Sequence, residues 1–490
     1  MAFTTSRRSV LMLLLTPGLA FLSSGNIRAD AQTAIPAEAA RGRWGPVFDL
    51  PNVAIHTHVL PNGKVLFWGR RSHPNGSMHE QGCTPYVWDP TTGQLTATPQ
   101  PTRADGTKIN LFCSGHAFLP DGRLLVVGGH LTDGDGLDQA CVYDHRTKSW
   151  AALPVMNQRR WYPITTALPD GTVLVSSGSY KQNGRVVLND IPQIWNGRRW
   201  TPAAAFTGLP PYGRIHVAPS GQVLAMPHPR GHHEYSPAVM YDTGKVISIG
   251  GSSDHAPEVP VAAAAVIDQR AGRPAWRDIA GMHFPRRQHN ATILADGTVL
   301  VTGGTSGPGF NDLSPGKPVH VAELWEPATE QWTALAAEEV DRCYHSTAVL
   351  LPDATVLSAG GGEFVAGSRP NDPRDSHRNA QIFHPPYLFR GPRPEIRSAP
   401  AEVTYGETFR LAVSGPDVGK ITWIRLPSMA HALDHSQRIN VLNFRRHDHG
   451  VIVDAPEEPR TCLPGHYMLF ALSKAGVPSV ARIVRIDLPC

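Results

Sequence analysis

The sequence predicts an all-β protein, and three observations support that prediction. Of its 490 residues, 46 are glycine and 45 are proline, so the chain is rich in turn-forming residues. A short phrase of two apolar segments around a Pro/Asp-Gly turn occurs seven times. After the seventh copy the phrase stops, and strand patterning of another kind continues to the C-terminus. Together these features predict a seven-bladed, kelch-type β-propeller over residues 42–390 and a C-terminal immunoglobulin-like β-sandwich over residues 394–490.

The first 31 residues are predicted to be a signal peptide. Arg7 and Arg8 precede an apolar run over residues 10–22, which is too short to cross a bilayer of about 30 Å as a helix. The small residues Ala29 and Ala31 supply a cleavage pattern. We therefore expect export by the twin-arginine route to the periplasm or the exterior. An ordinary signal peptide with a chance arginine pair is the alternative.

The charge balance restricts the partners. The chain has 45 basic and 41 acidic residues, a net charge of +4, and no block of like charges. This pattern supports neither a nucleic-acid-binding stripe nor a polybasic membrane face. We expect a monomer that acts on a small molecule, with no membrane partner once the signal is removed.

The seven copies define the propeller elements in order, because each copy predicts a tight β-hairpin. They span residues 58–69, 117–129, 167–175, 217–224, 239–247, 293–301 and 349–357. Copies four and five are too close together for a four-stranded blade, so we expect a trimmed fourth blade or a count wrong by one. Arg43 and Trp44 precede the first copy without a partner strand, so the N-terminal segment is expected to complete the last blade.

In each hairpin, the residue nine positions before the turn glycine is expected to lie near the propeller axis. In the seventh copy Ala354 takes the place of that glycine. These axial positions are Ala54, Cys113, Tyr162, Tyr212, Tyr235, Gln288 and His345. Taken singly, a tyrosine or cysteine at a strand start is usually a packing residue. As a set, a thiol, several phenols and an imidazole converge on one mouth of the propeller.

Six segments around and beyond these positions occur in a fixed order. They are Phe112–Gly115, Arg160–Pro163, Arg342–Ser346, Ala380–Phe389, Ala430–Arg438 and Gly476–Val480. In this order they resemble the site and domain segments of the copper radical oxidases, galactose oxidase and glyoxal oxidase. The resemblance covers roughly residues 42–489.

The resemblance implies a copper site and a radical derived from the protein itself. It makes Tyr162, Tyr344, His345 and His431 the copper ligands, and it joins Cys113 to the Tyr162 ring through a thioether. Two imidazoles with phenolate oxygen are a donor set that suits Cu(II). The implied reaction oxidises a primary alcohol or small aldehyde with dioxygen and releases hydrogen peroxide, and Tyr344 takes the substrate proton. Since His431 belongs to the sandwich, a loop of that domain must reach into the propeller channel.

The substrate pocket departs from the family pattern. Its candidate residues are Trp161, Tyr180 and Tyr235. In galactose oxidase an indole eighteen residues after the modified tyrosine covers it, and Tyr180 stands at that position here. The shielding of the radical and the shape of the substrate are therefore open, and galactose specificity is not implied. Cys343, beside Tyr344, is interpreted as a buried thiol without a role.

Two other functions remain open from the sequence. A non-enzymatic kelch-type propeller could bind a glycan or a protein, and a metal-dependent hydrolase could use the same fold. Cys113 near Tyr162 favours the oxidase, because a binding module needs no thiol against a phenol. The hydrolase would need a carboxylate metal ligand, and no motif supplies one.

The cysteines outside the site give one further expectation. A hairpin is predicted with its centre near Ala475 and Gly476, so residues that face each other across it have numbers that sum to about 951. The numbers of Cys462 and Cys490 sum to 952, and we therefore expect a disulfide between them. The pairing of Cys83 and Cys141 is left open.

Overall fold

The structure, a computed structural model, describes residues 36–488 apart from 74–75, 104, 204–208, 210–211, 227–235, 253–257, 364–375, 435 and 449. The predicted signal peptide, Tyr235 and Cys490 therefore lie outside the described residues. Within the described part, α1 (Glu38–Arg41) and a 3₁₀ helix (Pro386–Phe389) accompany 39 β-strands. No helix in this part is long and apolar enough to cross a membrane.

The first 29 strands precede the 3₁₀ helix. They are β1 (Arg43–Trp44), β2 (Phe48–Asp49), β3 (His56–Val59), β4 (Val65–Trp68), β5 (Tyr86–Trp88), β6 (Leu95–Ala97), β7 (Ser114–Phe118), β8 (Leu124–Gly128), β9 (Ala140–Asp144), β10 (Ser149–Ala152), β11 (Ile164–Ala167), β12 (Val173–Ser176), β13 (Ser179–Gln182), β14 (Arg185–Leu188), β15 (Gln193–Trp195), β16 (Trp200–Pro202), β17 (Ile215–Val217), β18 (Val223–Ala225), β19 (Ala238–Asp242), β20 (Lys245–Ile249), β21 (Ala264–Asp268), β22 (Arg277–Ile279), β23 (Arg287–Ile293), β24 (Val299–Thr305), β25 (Val321–Glu326), β26 (Gln331–Ala337), β27 (Ser346–Leu350), β28 (Val356–Gly360) and β29 (Asn379–His384).

All seven predicted hairpins are present as antiparallel pairs. They are β3–β4, β7–β8, β11–β12, β17–β18, β19–β20, β23–β24 and β27–β28. At the turn of the second hairpin Gly122 has φ 85°, a conformation that glycine adopts without steric cost. Ala354, which replaces glycine in the seventh copy, adopts the same region with φ 69°.

The hairpins extend outward into four-stranded sheets. The strand orders are β7-β8-β9-β10, β11-β12-β15-β16, β19-β20-β21-β22 and β23-β24-β25-β26. The first strands of successive hairpins contact one another, as β7 does with β11 and β23 with β27. The first strand of each hairpin therefore lies at the inner edge of its sheet, as expected for a propeller blade.

The N-terminal segment completes the last blade, as predicted. Strands β1 and β2 both pair with β29, in the sheet that also contains β28 and β27, and Trp44 lies opposite Phe383. The sheet formed by β17 and β18 has only these two strands within the described residues, as expected for a trimmed blade. The total of seven blades stays a prediction.

The remaining strands build the sandwich. They are β30 (Glu395–Ser398), β31 (Glu402–Thr404), β32 (Thr408–Ser414), β33 (Val418–Arg425), β34 (Ser428–Ala430), β35 (Ile439–Leu442), β36 (Phe444–His447), β37 (Gly450–Asp454), β38 (Gly465–Ser473) and β39 (Arg482–Asp487). One sheet has the order β30-β32-β37-β36 and the other β31-β39-β38-β33-β35. Apolar side chains of both sheets, including the fully buried Trp423, form a core of their own.

Strand β34 leaves the sandwich and joins the first propeller sheet. It pairs with β3 at the inner edge, so that Ala430 lies opposite His56 and Ser428 opposite His58. The Ser428 hydroxyl bonds His58 Nδ1 at 2.9 Å and His116 Nδ1 at 2.7 Å. This pairing confirms that a sandwich segment enters the channel, and it places His431 at the end of that segment.

The C-terminal hairpin has the predicted register, but the predicted disulfide is not formed. Tyr467 of β38 lies opposite Val484 of β39, in agreement with the sum of 951. Cys462 is nevertheless a free, fully buried thiol in the sandwich core, and Cys490 is outside the described residues. Cys83 and Cys141 are also free and buried.

Candidate active site

The axial positions share an unusual backbone conformation. Positive φ angles between 50° and 69° occur at Cys113, Tyr162, Tyr212, Gln288 and His345. The left-handed region costs an L-residue roughly 1–2 kcal/mol, and such strain concentrates at functional sites. The strain therefore marks one end of the channel, the mouth, where the inner strands begin.

The Tyr162 hydroxyl is the centre of this end of the channel. It lies 2.8 Å from the Tyr344 hydroxyl and 2.8 Å from Nε2 of His431. All three side chains are buried, with at most 7% of their surface exposed. Tyr162 and Tyr344 precede the first strands of the third and seventh hairpins, and His431 comes from the second domain. The three groups meet because β11, β27 and β34 all reach the mouth.

His345 is held with one ring nitrogen available. Its Nδ1–H donates to the Gly362 carbonyl at 2.5 Å, while its buried Nε2 has no hydrogen-bond partner among the described residues. The ring stacks on Tyr344 at 3.8 Å and meets the His431 ring at 4.6 Å. A backbone carbonyl that fixes the tautomer in this way is the usual support of a metal-bound histidine.

Cys113 packs directly against Tyr162. The thiol is fully buried, and both residues belong to one small apolar cluster. The Tyr162 amide donates to the Cys113 carbonyl at 2.9 Å, and the Cys113 amide donates to Nε2 of His56 at 3.1 Å. Burial raises the pKa of both groups, the neighbouring Cys113 adds to the rise at Tyr162, and the hydrogen bond with Tyr162 opposes the rise at Cys113. A thiol and a phenol are thus adjacent, as the resemblance requires.

Two aromatic rings cover the Tyr162 phenol. Trp161 stacks on it at 3.9 Å with an interplanar angle of 16°, and Tyr212 stacks at 4.4 Å and 18°. One face of a phenol has room for one ring at such distances, so the two rings occupy opposite faces. Tyr212 is held in place by its hydroxyl, which donates to the Ser114 carbonyl at 2.8 Å.

Of the other two predicted pocket residues, Tyr180 and Tyr235, the structure describes Tyr180 alone. Tyr180, on β13, lies over the Arg159 guanidinium at 5.9 Å, and the stacking partners of Tyr162 in the described residues are Trp161 and Tyr212 instead. The indole that stacks on Tyr162 is therefore that of Trp161, the residue before it in sequence. Tyr235 lies outside the described residues.

In the absence of a metal, burial favours the uncharged forms of Tyr162, Cys113, His345 and His431. Burial raises the pKa of Tyr162 and of Cys113 well above their ordinary values. Burial also lowers the pKa of His345 to about 3 and that of His431 well below its ordinary value, with a contribution from the Arg70 guanidinium. A bound cation would reverse this for the phenols, because its charge favours phenolate.

The donor atoms fit a transition-metal ion. Ligands at 90° to one another with bonds of about 2.0 Å are about 2.8 Å apart, the separation between Tyr162 Oη and its two neighbours, Tyr344 Oη and His431 Nε2. The unpartnered Nε2 of His345 supplies a fourth donor. The assignment of these four residues as ligands stays a prediction.

Two aromatic contacts of the candidate site, made by Tyr212 and Phe310, were not predicted from the sequence. Tyr212 was among the axial positions, yet only the structure shows that it stacks on Tyr162. Phe310 packs edge-on against Tyr344 at 4.7 Å, and nothing in the sequence pattern indicated it. Cys343 is buried and donates its S–H to the Gly304 carbonyl at 3.3 Å, consistent with a packing role.

Known proteins similar to this chain include several oxidases. Residues 393–486 match the family described as "Galactose oxidase-like, Early set domain". The chain is 27% identical to a galactose oxidase from Gibberella zeae, over 91% of this chain and 70% of that protein. It is 26% identical to the aldehyde oxidase GLOX of Vitis pseudoreticulata, over 91% of this chain and 93% of that protein.

A solved structure gives the same result in three dimensions. A fungal alcohol oxidase of the AA5 family, solved in complex with copper, matches with a TM-score of 0.78 and 25% identity. The match covers 91% of this chain and all of that one. The motif order, the fold and these relatives together support the copper radical oxidase family for this chain.

Proposed function

We propose that this chain is an exported copper radical oxidase that converts a primary alcohol or a small aldehyde with dioxygen and releases hydrogen peroxide. The observation that carries the proposal is the buried Tyr162 phenol, which has a thiol beside it and hydrogen-bond partners from Tyr344 and His431. Export is inferred from the arginine pair and apolar run at the N-terminus alone.

The proposed cofactor has two parts. Tyr162, Tyr344, His345 and His431 would hold one copper ion, and Cys113 would be joined through sulfur to the Tyr162 ring. Bound copper supplies one of the two one-electron stores that a two-electron oxidation needs, and the modified phenol supplies the other. The galactose oxidase and the copper-bound alcohol oxidase among the relatives support this choice of metal.

The thioether requires no other protein. Its formation breaks the S–H bond of Cys113 and one ring C–H bond of Tyr162 beside the phenol oxygen, and it makes one C–S bond. Two protons and two electrons leave, and dioxygen accepts them as hydrogen peroxide. The buried contact between the side chains provides the proximity that this step needs.

The chain's own residues then have separable roles. Trp161 and Tyr212 exclude water from both faces of the Tyr162 ring, which protects a phenoxyl radical there. The Tyr344 Oη accepts the hydroxyl proton of the substrate, since it lies at the mouth and already shares a hydrogen bond with Tyr162 Oη. A radical on Tyr162 would accept a hydrogen atom from the substrate carbon, and copper, if bound, would supply the acceptor for the second electron.

A peroxide-coupled assay tests the proposal. Copper-loaded protein is screened against primary alcohols, small aldehydes and sugars, with Cys113→Ser as the matched control. We expect peroxide release with at least one alcohol or aldehyde, and none with the control. A chain that binds its ligand but releases no peroxide with any compound would instead be a non-enzymatic propeller.

A further inference from the structure

A second cluster of metal-binding side chains lies at the mouth, outside the copper site. His79, His130 and Asp133 each offer one donor atom, and these atoms all lie within 4.8 Å of one another. His79 lies between β4 and β5, whereas His130 and Asp133 follow β8. Both segments leave the mouth end of their hairpins, so the fold brings the cluster together from two neighbouring blades.

The distance between the two imidazoles matches a metal site. Nδ1 of His79 lies 3.0 Å from Nε2 of His130, and the rings are nearly parallel at 10°. Two nitrogen ligands at bond lengths of about 2.0–2.1 Å and nearly right angles are separated by about 3 Å. A cation can therefore replace the proton shared by the two rings without moving either ring far.

One buried arginine fixes both segments of the cluster. Arg70 donates through Nε to the Met78 carbonyl at 2.8 Å, which positions the residue next to His79. Its Nη2 donates to Oδ1 of Asp133 at 2.8 Å and leaves the second carboxylate oxygen for a further partner. His130 is 3% exposed, whereas His79 and Asp133 are exposed, so the cluster is rigid on its inner side and open to solvent on its outer side.

Phe112 separates this cluster from the copper site. Its ring contacts His130 at 5.2 Å and His345 at 5.3 Å between centroids. The Phe112 ring therefore contacts an imidazole of the outer cluster and an imidazole of the inner site.

We propose that His79, His130 and Asp133 form a second transition-metal site at the mouth, which binds one divalent ion and prefers Cu(II). Two imidazoles and a carboxylate are borderline donors that bind first-row divalent ions, and such sites generally bind Cu(II) most tightly. The site is independent of the proposed oxidation, because none of its residues belongs to the predicted inner ligand set.

Copper stoichiometry tests this proposal in the metal-free, full-length mature protein. After addition of excess Cu(II) and gel filtration, we expect two copper ions per chain in the wild type and one in His79→Ala/Asp133→Asn. Both residues are exposed, so the double variant should fold. Electron paramagnetic resonance should show loss of one Cu(II) signal while the inner one persists. Equal copper content in both proteins would overturn the proposal.

A second arm removes the inner site instead. His345→Ala/His431→Ala should retain one Cu(II) per chain, and the further change His79→Ala/Asp133→Asn should abolish it. His320→Ala in the same background is the matched control, because His320 also pairs with a carboxylate, Asp341 at 2.7 Å, outside any such cluster of the described residues. Loss of copper in the control, or its retention without His79 and Asp133, would contradict the proposed site. If the inner-site variant does not fold, the first arm decides alone.

Discussion

Removing the Tyr344 hydroxyl separates proton transfer from packing at the proposed active site. In Tyr344→Phe the ring keeps its stack on His345 at 3.8 Å and its edge contact with Phe310 at 4.7 Å. The variant loses the hydrogen bond of 2.8 Å to the Tyr162 hydroxyl. The variant therefore changes chemistry much more than it changes structure.

The two effects differ enough in size to be distinguished. Loss of one buried hydrogen bond should lower the free energy of unfolding of the metal-free protein by about 1 kcal/mol. Loss of a positioned base typically lowers the rate by roughly 10² to 10⁴, which raises the barrier by about 2.7–5.4 kcal/mol. We expect copper binding and the oxidised radical to persist, because Tyr162, His345 and His431 remain.

The assay compares turnover, copper content and the visible absorption of the oxidised radical. Tyr212→Phe is the control, since it removes a phenol hydroxyl with a similar bond, 2.8 Å to the Ser114 carbonyl, while the stacked ring stays. Its effect on turnover should be at least about tenfold smaller than that of Tyr344→Phe. Near-wild-type turnover of Tyr344→Phe would refute the role of Tyr344 as the base. Loss of both copper and radical would show that it is first a structural ligand.

Three further changes test the cover of the radical, the blade packing and the pH dependence of stability. Trp161→Ala uncovers one face of the Tyr162 ring and should shorten the lifetime of the radical about 2- to 13-fold. That factor corresponds to a lost stacking energy of roughly 0.5–1.5 kcal/mol. An unchanged decay of the radical's visible absorption would exclude shielding by Trp161. Glu323→Ala leaves the fully buried Arg286 without its ion-pair partner at 2.6 Å. The free energy of unfolding measured by urea titration should fall by about 3–5 kcal/mol. An unchanged midpoint of the urea transition would contradict a stabilising ion pair. Burial raises the pKa of Glu338 from 4.5 to about 7, so the folded state binds the proton more tightly, and stability should fall by about 3 kcal/mol as the pH rises from 4.5 to 7. Glu338→Gln should flatten that slope in urea titrations at several pH values, and an unchanged slope would show that another group titrates.

The sequence predicted the parts of the fold that depend on local chemistry. Turn residues and apolar alternation located all seven hairpins, and the unpaired Trp44 correctly indicated the strand that completes the last blade. Counting back from the turns found Cys113, Tyr162 and His345, because a repeated hairpin brings equivalent residues to the same end. The entry of β34 into the channel followed from the position of His431 in the second domain.

The rest could not be predicted, because it depends on contacts between distant segments. The stack of Tyr212 on Tyr162, and the lone carbonyl of Gly362 that orients His345, come from loops whose paths no local pattern specifies. Counting eighteen residues from Tyr162 selected Tyr180, but β13 pairs with β14 and carries this side chain to Arg159. The adjacent Trp161 takes the stacking position instead.

The proposed radical mechanism depends on a covalent link between Cys113 and Tyr162, and mass spectrometry can detect that link. The metal-free protein is incubated with Cu(II) in air, unfolded, alkylated and digested with trypsin, and Cys113→Ser is treated in parallel. We expect the Cys113 and Tyr162 peptides to become joined and lighter by two hydrogens in the wild type, and only when both copper and oxygen are present. Separate peptides with an alkylated Cys113 in copper-loaded, air-exposed protein would contradict the radical mechanism for this chain.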